Sequence, residues 1–332
     1  MKIESYHLEI PGKIKMSFLN LGGIIQYLHV PDKNGMMGDI VLGFDNKEDY
    51  QHFAHPYFGS IIGRYANRIA EGLFRIDGKS YQLILNDGEN SLHGGLIGLD
   101  KVFWQVQENS DKHSYTLTHE DPNGRQGYPG NVKIAVTYTL SNRCELVIDY
   151  HAVTDAKTII NLTNHTYFNL GDGCEKNILE HELWINANFY TEVRNNLIPT
   201  GNILEVNGPN DFRKQKKIGK DIGKTPTGYD HNYVLNEGPL YCPKARLIHE
   251  KSGRMMEVFT TEPGMQFYSG NLLDGTLLGK NNTYYQRHQG LCLETQHFPD
   301  SPNHPNFPST ELNPGEIFKS KTIYKFCTLN DG

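Results

Sequence analysis

Apolar and polar side chains alternate along most of this chain in short runs with a period of two, the pattern of strands with one buried face. The runs are KIKMSFLNL, DIVLGF, GLFRIDGKSYQLIL, HSYTLTHE, VKIAVTYTL, CELVIDYHAV, TIINLTNHTYFNL, HELWINANFYTEV, MMEVFTTEPGMQFYSGNLL, GLCLETQHF and EIFKSKTIYKF. They are rich in Val, Ile, Thr, Tyr and Phe, which suit a pleated surface. Between them lie PDKNG, NDGEN, EDPNGRQGYPGN, LGDG and VNGPND, all turn chemistry. Helical spacing is confined to NKEDYQHF (46–53), enough for one or two turns, and DFRKQKKIG (211–219), a short surface helix. Nothing resembles strands alternating with long helices, which argues against a parallel α/β sheet. The expectation is an all-β fold: a large antiparallel β-sandwich with few short helices. No composition shift or linker marks a boundary, so residues 1–332 are expected to form one domain, although the pattern alone also admits two smaller sandwiches.

Charge narrows the partners. The formal net charge is -6, and the densest basic stretch, FRKQKKIGK, is short and followed by Asp221. Neither nucleic acid nor a membrane surface is expected as a partner. The start, MKIESYHLEIPGK, has no apolar leader core, and no run approaches the length of a membrane span. The five cysteines are scattered with no Cys-x-x-Cys pair, so a reducing, cytoplasmic setting is the simpler expectation.

Some stretches carry more polar chemistry than a solvated strand needs. In INLTNHTYFNL (160–170), one face would present Asn161, Thr163, His165, Tyr167 and Asn169, with neither Lys nor Glu among them. Neutral hydrogen-bonding groups in a row resemble a pocket lining more than open surface. In GLCLETQHFPDSPN, Glu294 shares a face with Cys292 and Gln296 and precedes a proline-rich segment that reads as a covering loop. A carboxylate beneath such a loop is a candidate for a raised pKa. FGSIIGRYANRIAEG supplies Arg64, Asn67 and Arg68 beside Tyr65, and NSLHGG places His93 before two glycines that allow close backbone approach. YDHNYVL offers Asp230, and GMQFYSGN offers Gln266 and Tyr268 on one face. Each also has a plain structural reading: a surface histidine, an edge-strand ion pair, a tight turn. No phosphate-binding loop, nucleophile elbow or dinucleotide fingerprint is present, and His288, His297 and His304 fit no familiar zinc spacing.

Taken in order, GRYANRIA, NSLHGG, NLTNHTYFNL, YDHNYVL, GMQFYSGN and ETQHFPDSPN…FPSTELNPGE resemble the galactose mutarotase (aldose 1-epimerase) family over roughly residues 55 to 318. The resemblance implies a mutarotase-like supersandwich with a sugar cleft, no cofactor and no metal, and interconversion of the α and β anomers of a hexose such as galactose or glucose. It implies Glu294 as catalytic base and His165 as catalytic acid, with Asn67, Arg68, His93, Asp230 and Gln266 as substrate-binding residues. Arg64 belongs to the same motif but is not expected to touch sugar. The alternatives are a sugar-phosphate (glucose 6-phosphate) 1-epimerase, which would need cations for a dianion, a glycosidase using Glu294 and Asp230, and a non-catalytic carbohydrate-binding protein.

Overall fold

Alternation becomes architecture through pairing: strands with one apolar face are stable only when two such faces meet. The structure, a computed structural model, describes residues 1–51, 55–172 and 177–329. Among these residues every paired strand runs antiparallel, and the only helical segments are short 3-10 turns. The largest sheet has nine strands, in the order Gln105–Glu108, Ser114–Asp121, Val132–Ser141, Glu145–Thr154, Phe318–Thr328, Arg254–Thr260, Ala245–His249, Glu182–Ile185 and Lys216–Lys217. A five-stranded sheet follows the order Pro199–Glu205, Ala187–Val193, Asp230–Leu235, Gly264–Tyr268 and Cys292–Gln296. A third sheet of four strands is built from the N-terminal residues Ser5–Ile10, Ile14–Leu19, Ile25–Pro31 and Met37–Asp39.

The large and five-stranded sheets bury their inner faces in one core. Tyr233, Met265, Phe267 and Leu293 of the smaller sheet join Tyr138, Ile148, Met256, Val258 and Tyr324 of the larger. Two polar contacts stitch the layers: the Tyr324 hydroxyl donates to the Leu293 carbonyl at 3.0 Å, and Thr295 meets Thr322. Odd-numbered positions of Cys292–Gln296 thus face the core, and Cys292, Glu294 and Gln296 face the other way. Register then lines up side chains across strands: Asp230, Tyr268 and Cys292 in one row, and Asn232, Gln266 and Glu294 in the next. The outer face of this sheet is the floor of the site.

Four segments bear on the expectations, NKEDYQHF meeting its own and three others needing correction. DFRKQKKIG is not a helix: Lys216–Lys217 pairs with Glu182–Leu183 as an edge strand, and only 3-10 turns flank it. Within DIVLGF only Asp39 is in a strand, Met37–Asp39, and the buried run Ile40–Leu42 continues as extended chain. NKEDYQHF makes one 3-10 turn, Lys47–Gln51, its last two residues lying outside the described segments, as does Cys174. The fourth is INLTNHTYFNL, where the only ladder is the two-residue strand Thr163–Asn164, paired with Ile61–Ile62. Its amides wire loops together. Asn161 binds backbone of Ala66 and His297, and Asn169 binds that of Gln289 and Gly171.

Candidate active site

Three separate elements deliver the polar groups. Glu294 and Gln266 rise side by side from the five-stranded floor. His165 is placed by backbone bonds from its N–H to the Ser60 carbonyl and from the Gly59 N–H to its own carbonyl. The strand Arg68–Ile69 pairs with Ser91–Leu92, which seats Asn67 and Arg68 beside His93. The close approach expected at the glycines after His93 is real, and the group approaching is backbone. A Cβ on Gly94, at φ 87°, would lie 2.0 Å from the Gly63 carbonyl oxygen. The proline-rich segment packs on the Arg68 and Tyr65 stretch. The Asp300 N–H bonds the Arg68 carbonyl, and the Tyr65 hydroxyl bridges Phe298 and Ser301.

Glu294 and His165 meet. Nε2 of His165 lies 3.7 Å from Oε1 of Glu294, and both side chains are almost fully buried. On its other side, Nδ1 of His165 lies 3.5 Å from Sγ of Cys292, so Nε2 is the nitrogen presented to a ligand. Oε2 of Glu294 and Oε1 of Gln266 are buried with no hydrogen-bond partner among the described residues. Such acceptors cost about 1–3 kcal/mol each and call for a donor.

The other candidates surround this pair. Gln266 donates Nε2 to Oδ1 of Asp230 at 2.6 Å. The imidazoles of His93 and His165 stand edge to face, 5.2 Å between centroids. The Asn67 N–H donates to Nδ1 of His93 at 3.1 Å, which puts the proton of a neutral His93 on Nε2. Asn67, at φ 65°, uses its Oδ1 to accept the Arg68 N–H. Arg68 donates Nε to Oδ2 of Asp87 at 2.7 Å. Arg64 lies outside the site. Fully buried, it binds Asp121 and the carbonyls of Pro129 and Gly130, fastening the loop they occupy.

His93, His165 and Glu294 bring one ligand atom each within 4.8 Å of one another, a spacing a divalent cation could use. The hydrogen bonding does not suit one. A metal on Nε2 of His93 would force the proton onto Nδ1, against the Asn67 N–H.

Burial controls the charges. It pushes the Glu294 carboxyl well above the usual range, reinforced by Asp230 and opposed by Arg68. It lowers His165 to about 4, with His55 adding to the shift, and holds His93 well below its ordinary value. Asp230 is raised by burial and relieved by Arg68 and Gln266. Above about pH 4 and up to the raised Glu294 value, Glu294 and His165 together therefore hold one proton.

Two neighbours were not legible in the pattern. Tyr57, at φ 61°, sets its ring 4.7 Å from His93 and 5.7 Å from His165. Asp87 sits in NDGEN, which reads only as a turn. The available signal was indirect: a largely buried arginine needs a carboxylate.

Comparison with known proteins gives the family. A family model described as Aldose 1-epimerase matches residues 4–325. The chain belongs to the aldose 1-epimerase family. It is 44% identical over 328 residues to the galactose mutarotases of Bos taurus and Homo sapiens, covering 98% of this chain and 94% of each relative. The aldose 1-epimerase of Escherichia coli (strain K12) is 36% identical over 321 residues, 94% of this chain and 91% of the relative. The crystal structure of a GalM/aldose epimerase homologue from C. elegans superimposes with a TM-score of 0.93 at 32% identity, covering 99% of this chain and 100% of that one. Galactose 1-epimerase from Lactobacillus acidophilus NCFM gives 0.86 at 29% identity, covering 98% and 99%. This aldose 1-epimerase family member thus shares its whole sandwich, not a fragment, with its relatives.

Proposed function

We propose that this cleft interconverts the α and β anomers of an unphosphorylated hexose such as galactose or glucose, with Glu294 as base and His165 as acid. The activity class, a galactose mutarotase type of isomerase, accords with full-length relatives bearing that name. The roles of the residues rest on one observation: a carboxylate and an imidazole from different elements, 3.7 Å apart at their nearest atoms, beside buried acceptors.

Anomer exchange requires the C1–O5 bond to break. One group takes the proton of the C1 hydroxyl, and another gives a proton to O5. Both oxygens hang on one carbon, so the two catalytic groups must be close neighbours, as they are here. In the productive complex Glu294 accepts the O1 proton and Nε2 of His165 donates to O5, giving the open-chain aldehyde. Rotation about C1–C2 exposes the other carbonyl face, and the two transfers reverse as O5 attacks. The pair starts and ends with one proton, the number it holds when empty. Each well-placed transfer contributes roughly 10²–10⁴-fold. His93 Nε2–H, Asn67, Arg68, Asp230 and Gln266 serve as the groups that hold the sugar hydroxyls.

The charge pattern disfavours a phosphorylated substrate. Three of the five cations in the basic cluster are paired, Arg213 with Asp211 and Glu205, Lys216 with Asp221, and Lys217 with Glu180, and Arg68 has its Nε on Asp87. Polarimetry of freshly dissolved α-D-galactose is the test. Accelerated mutarotation that Glu294→Gln abolishes supports the assignment, and a near-normal rate in that variant refutes it.

A further inference from the structure

Arg68 carries a problem that its own motif does not solve. Its guanidinium lies near enough to Glu294 and Asp230 to pull both carboxyls down against burial. An unrestrained arginine beside two buried carboxylates would fold onto one of them, because a charge-assisted fork-to-carboxylate bond is among the strongest side-chain contacts. That would seal the base or the sugar ligand inside an ion pair.

The structure shows what prevents this. Asp87 accepts from Nε at 2.7 Å, side-on, and among the described residues neither terminal amino group of Arg68 is hydrogen-bonded. The loop presenting Asp87 is itself tied down. Asp87 and Asn90 exchange backbone bonds, Asn86 exchanges two bonds with Leu92, and Asn90 accepts the Glu71 N–H. Leu92 is the register partner of Arg68, so the loop and the arginine share one small ladder. The charged or titratable groups sensing the guanidinium are Asp87, Asp230, Glu294, His93 and Tyr57. Only Asp87 stands at the rim, its side chain 36% exposed.

We infer that Asp87 is a positioning residue that aims the Arg68 fork at the substrate and offsets its charge, so that Glu294 and Asp230 stay unpaired until sugar arrives. This rests on the reading of Glu294 as base and Arg68 as a sugar ligand. Asp87 never touches the reacting atoms. It acts through the guanidinium.

Aim and charge separate in two variants. Asp87→Ala loses both. Galactose KM should rise about tenfold or more, since misplacement of about 1 Å can cost 10²-fold. The alkaline limb of the kcat/KM profile should also move down by about one pH unit, as an opposed charge lowers a carboxyl by 1–3 units. Asp87→Asn keeps an oxygen for Nε, so KM should return close to wild type while the limb stays displaced. Either readout unmoved in Asp87→Ala overturns the inference. So does loss of activity in both variants that tracks melting temperature with the limb in place, which is the result for a loop staple. Calorimetric titration of galactose into Glu294→Gln and Glu294→Gln/Asp87→Ala reads the aim without turnover: the double variant should bind about tenfold more weakly. Mutarotation persisting in Glu294→Gln would instead sink the base assignment and leave the titration standing.

Discussion

Glu294 is the residue at which the proposed function and stability oppose each other. Its folded pKa is raised above the unfolded value, with burial first and Asp230 second. The sign follows from linkage: such a group contributes stability fully present below the unfolded pKa of about 4.3, lost as pH rises through the folded value. Glutamine does not titrate, so Glu294→Gln should melt higher than wild type at pH 7 to 8, by the order of 1 kcal/mol, while catalysis disappears. The gain should vanish toward pH 4, which thermal unfolding across pH will show; a variant less stable at pH 8 contradicts the picture. His165→Asn should lower kcat by roughly 10²–10⁴-fold while galactose still binds, and a change in KM alone would make His165 a ligand. The same two shifts set the pH–rate profile. The free pair gains a second proton near pH 4 and loses its only one above the ordinary carboxylate range, so kcat/KM should be bell-shaped with those limbs. A profile with no acid limb near pH 4 counts against the pair. Glu294 stood out by strand parity and His165 by residue type, while their roles came from the family resemblance. Tyr57 and Asp87 were not legible, because each sits in a loop whose purpose appears only in three dimensions.

Among the elements, the five-stranded floor behaved as alternation predicts and the segment around His165 did not. Cys292–Gln296 and Gly264–Tyr268 put alternate side chains on the core and on the cleft, as period two demands. INLTNHTYFNL has the same alternation, yet its amides bind loop backbone, and the chain leaves the sheet after two paired residues. Hydrogen-bond capacity tells nothing of what will be bonded, and here the partners come from residues near 60, 290 and 297. The floor has one position where packing is decisive. A Cβ on Gly264 would lie 2.6 Å from Oδ1 of Asn232 and 2.9 Å from Cδ1 of Phe298. Asn232 is in the same cross-strand row as Gln266 and Glu294, so pushing it disturbs the site as well as the fold. Gly264→Ala should cost about 1–3 kcal/mol in urea unfolding and lower kcat/KM with it. An alanine variant with wild-type midpoint and rate would mean the floor yields more easily than its packing implies.

At the scale of the molecule, alternation and turn residues were enough for an antiparallel sandwich, but not for its strand order. Glu145–Thr154 pairs with Phe318–Thr328 across most of the chain's length, and no local signal selects that partner. The family match over residues 4–325 extends the shared fold to nearly the whole chain. Among the described residues no helix is long and apolar enough to cross a membrane. The sandwich also imposes an acid limit. It buries His93, His165 and His181 at 6% exposure or less, and burial lowers His165 to about 4 and His181 to about 3. His181 accepts the Leu170 N–H on Nε2 and stacks on His249 at 4.6 Å, so a second proton has no acceptor to reward it. For a histidine whose folded pKa is depressed, the unfolded chain binds more protons below about pH 6.5, and stability falls as pH drops from there through the folded value. Glu294 works in the opposite direction, since its penalty fades over the same descent. Among the described residues seven histidines are depressed, with His29, His119, His231 and His288 joining these three, against four raised carboxyls, Asp100, Asp230, Glu294 and Asp300, so the urea midpoint should fall between pH 6.5 and 4.5. Glu294→Gln removes one of the opposing groups, and its midpoint should fall more steeply over that window than wild type. A midpoint that holds constant to pH 4.5 in both proteins would show that these histidines are already solvated or paired when folded, against the geometry that buries them.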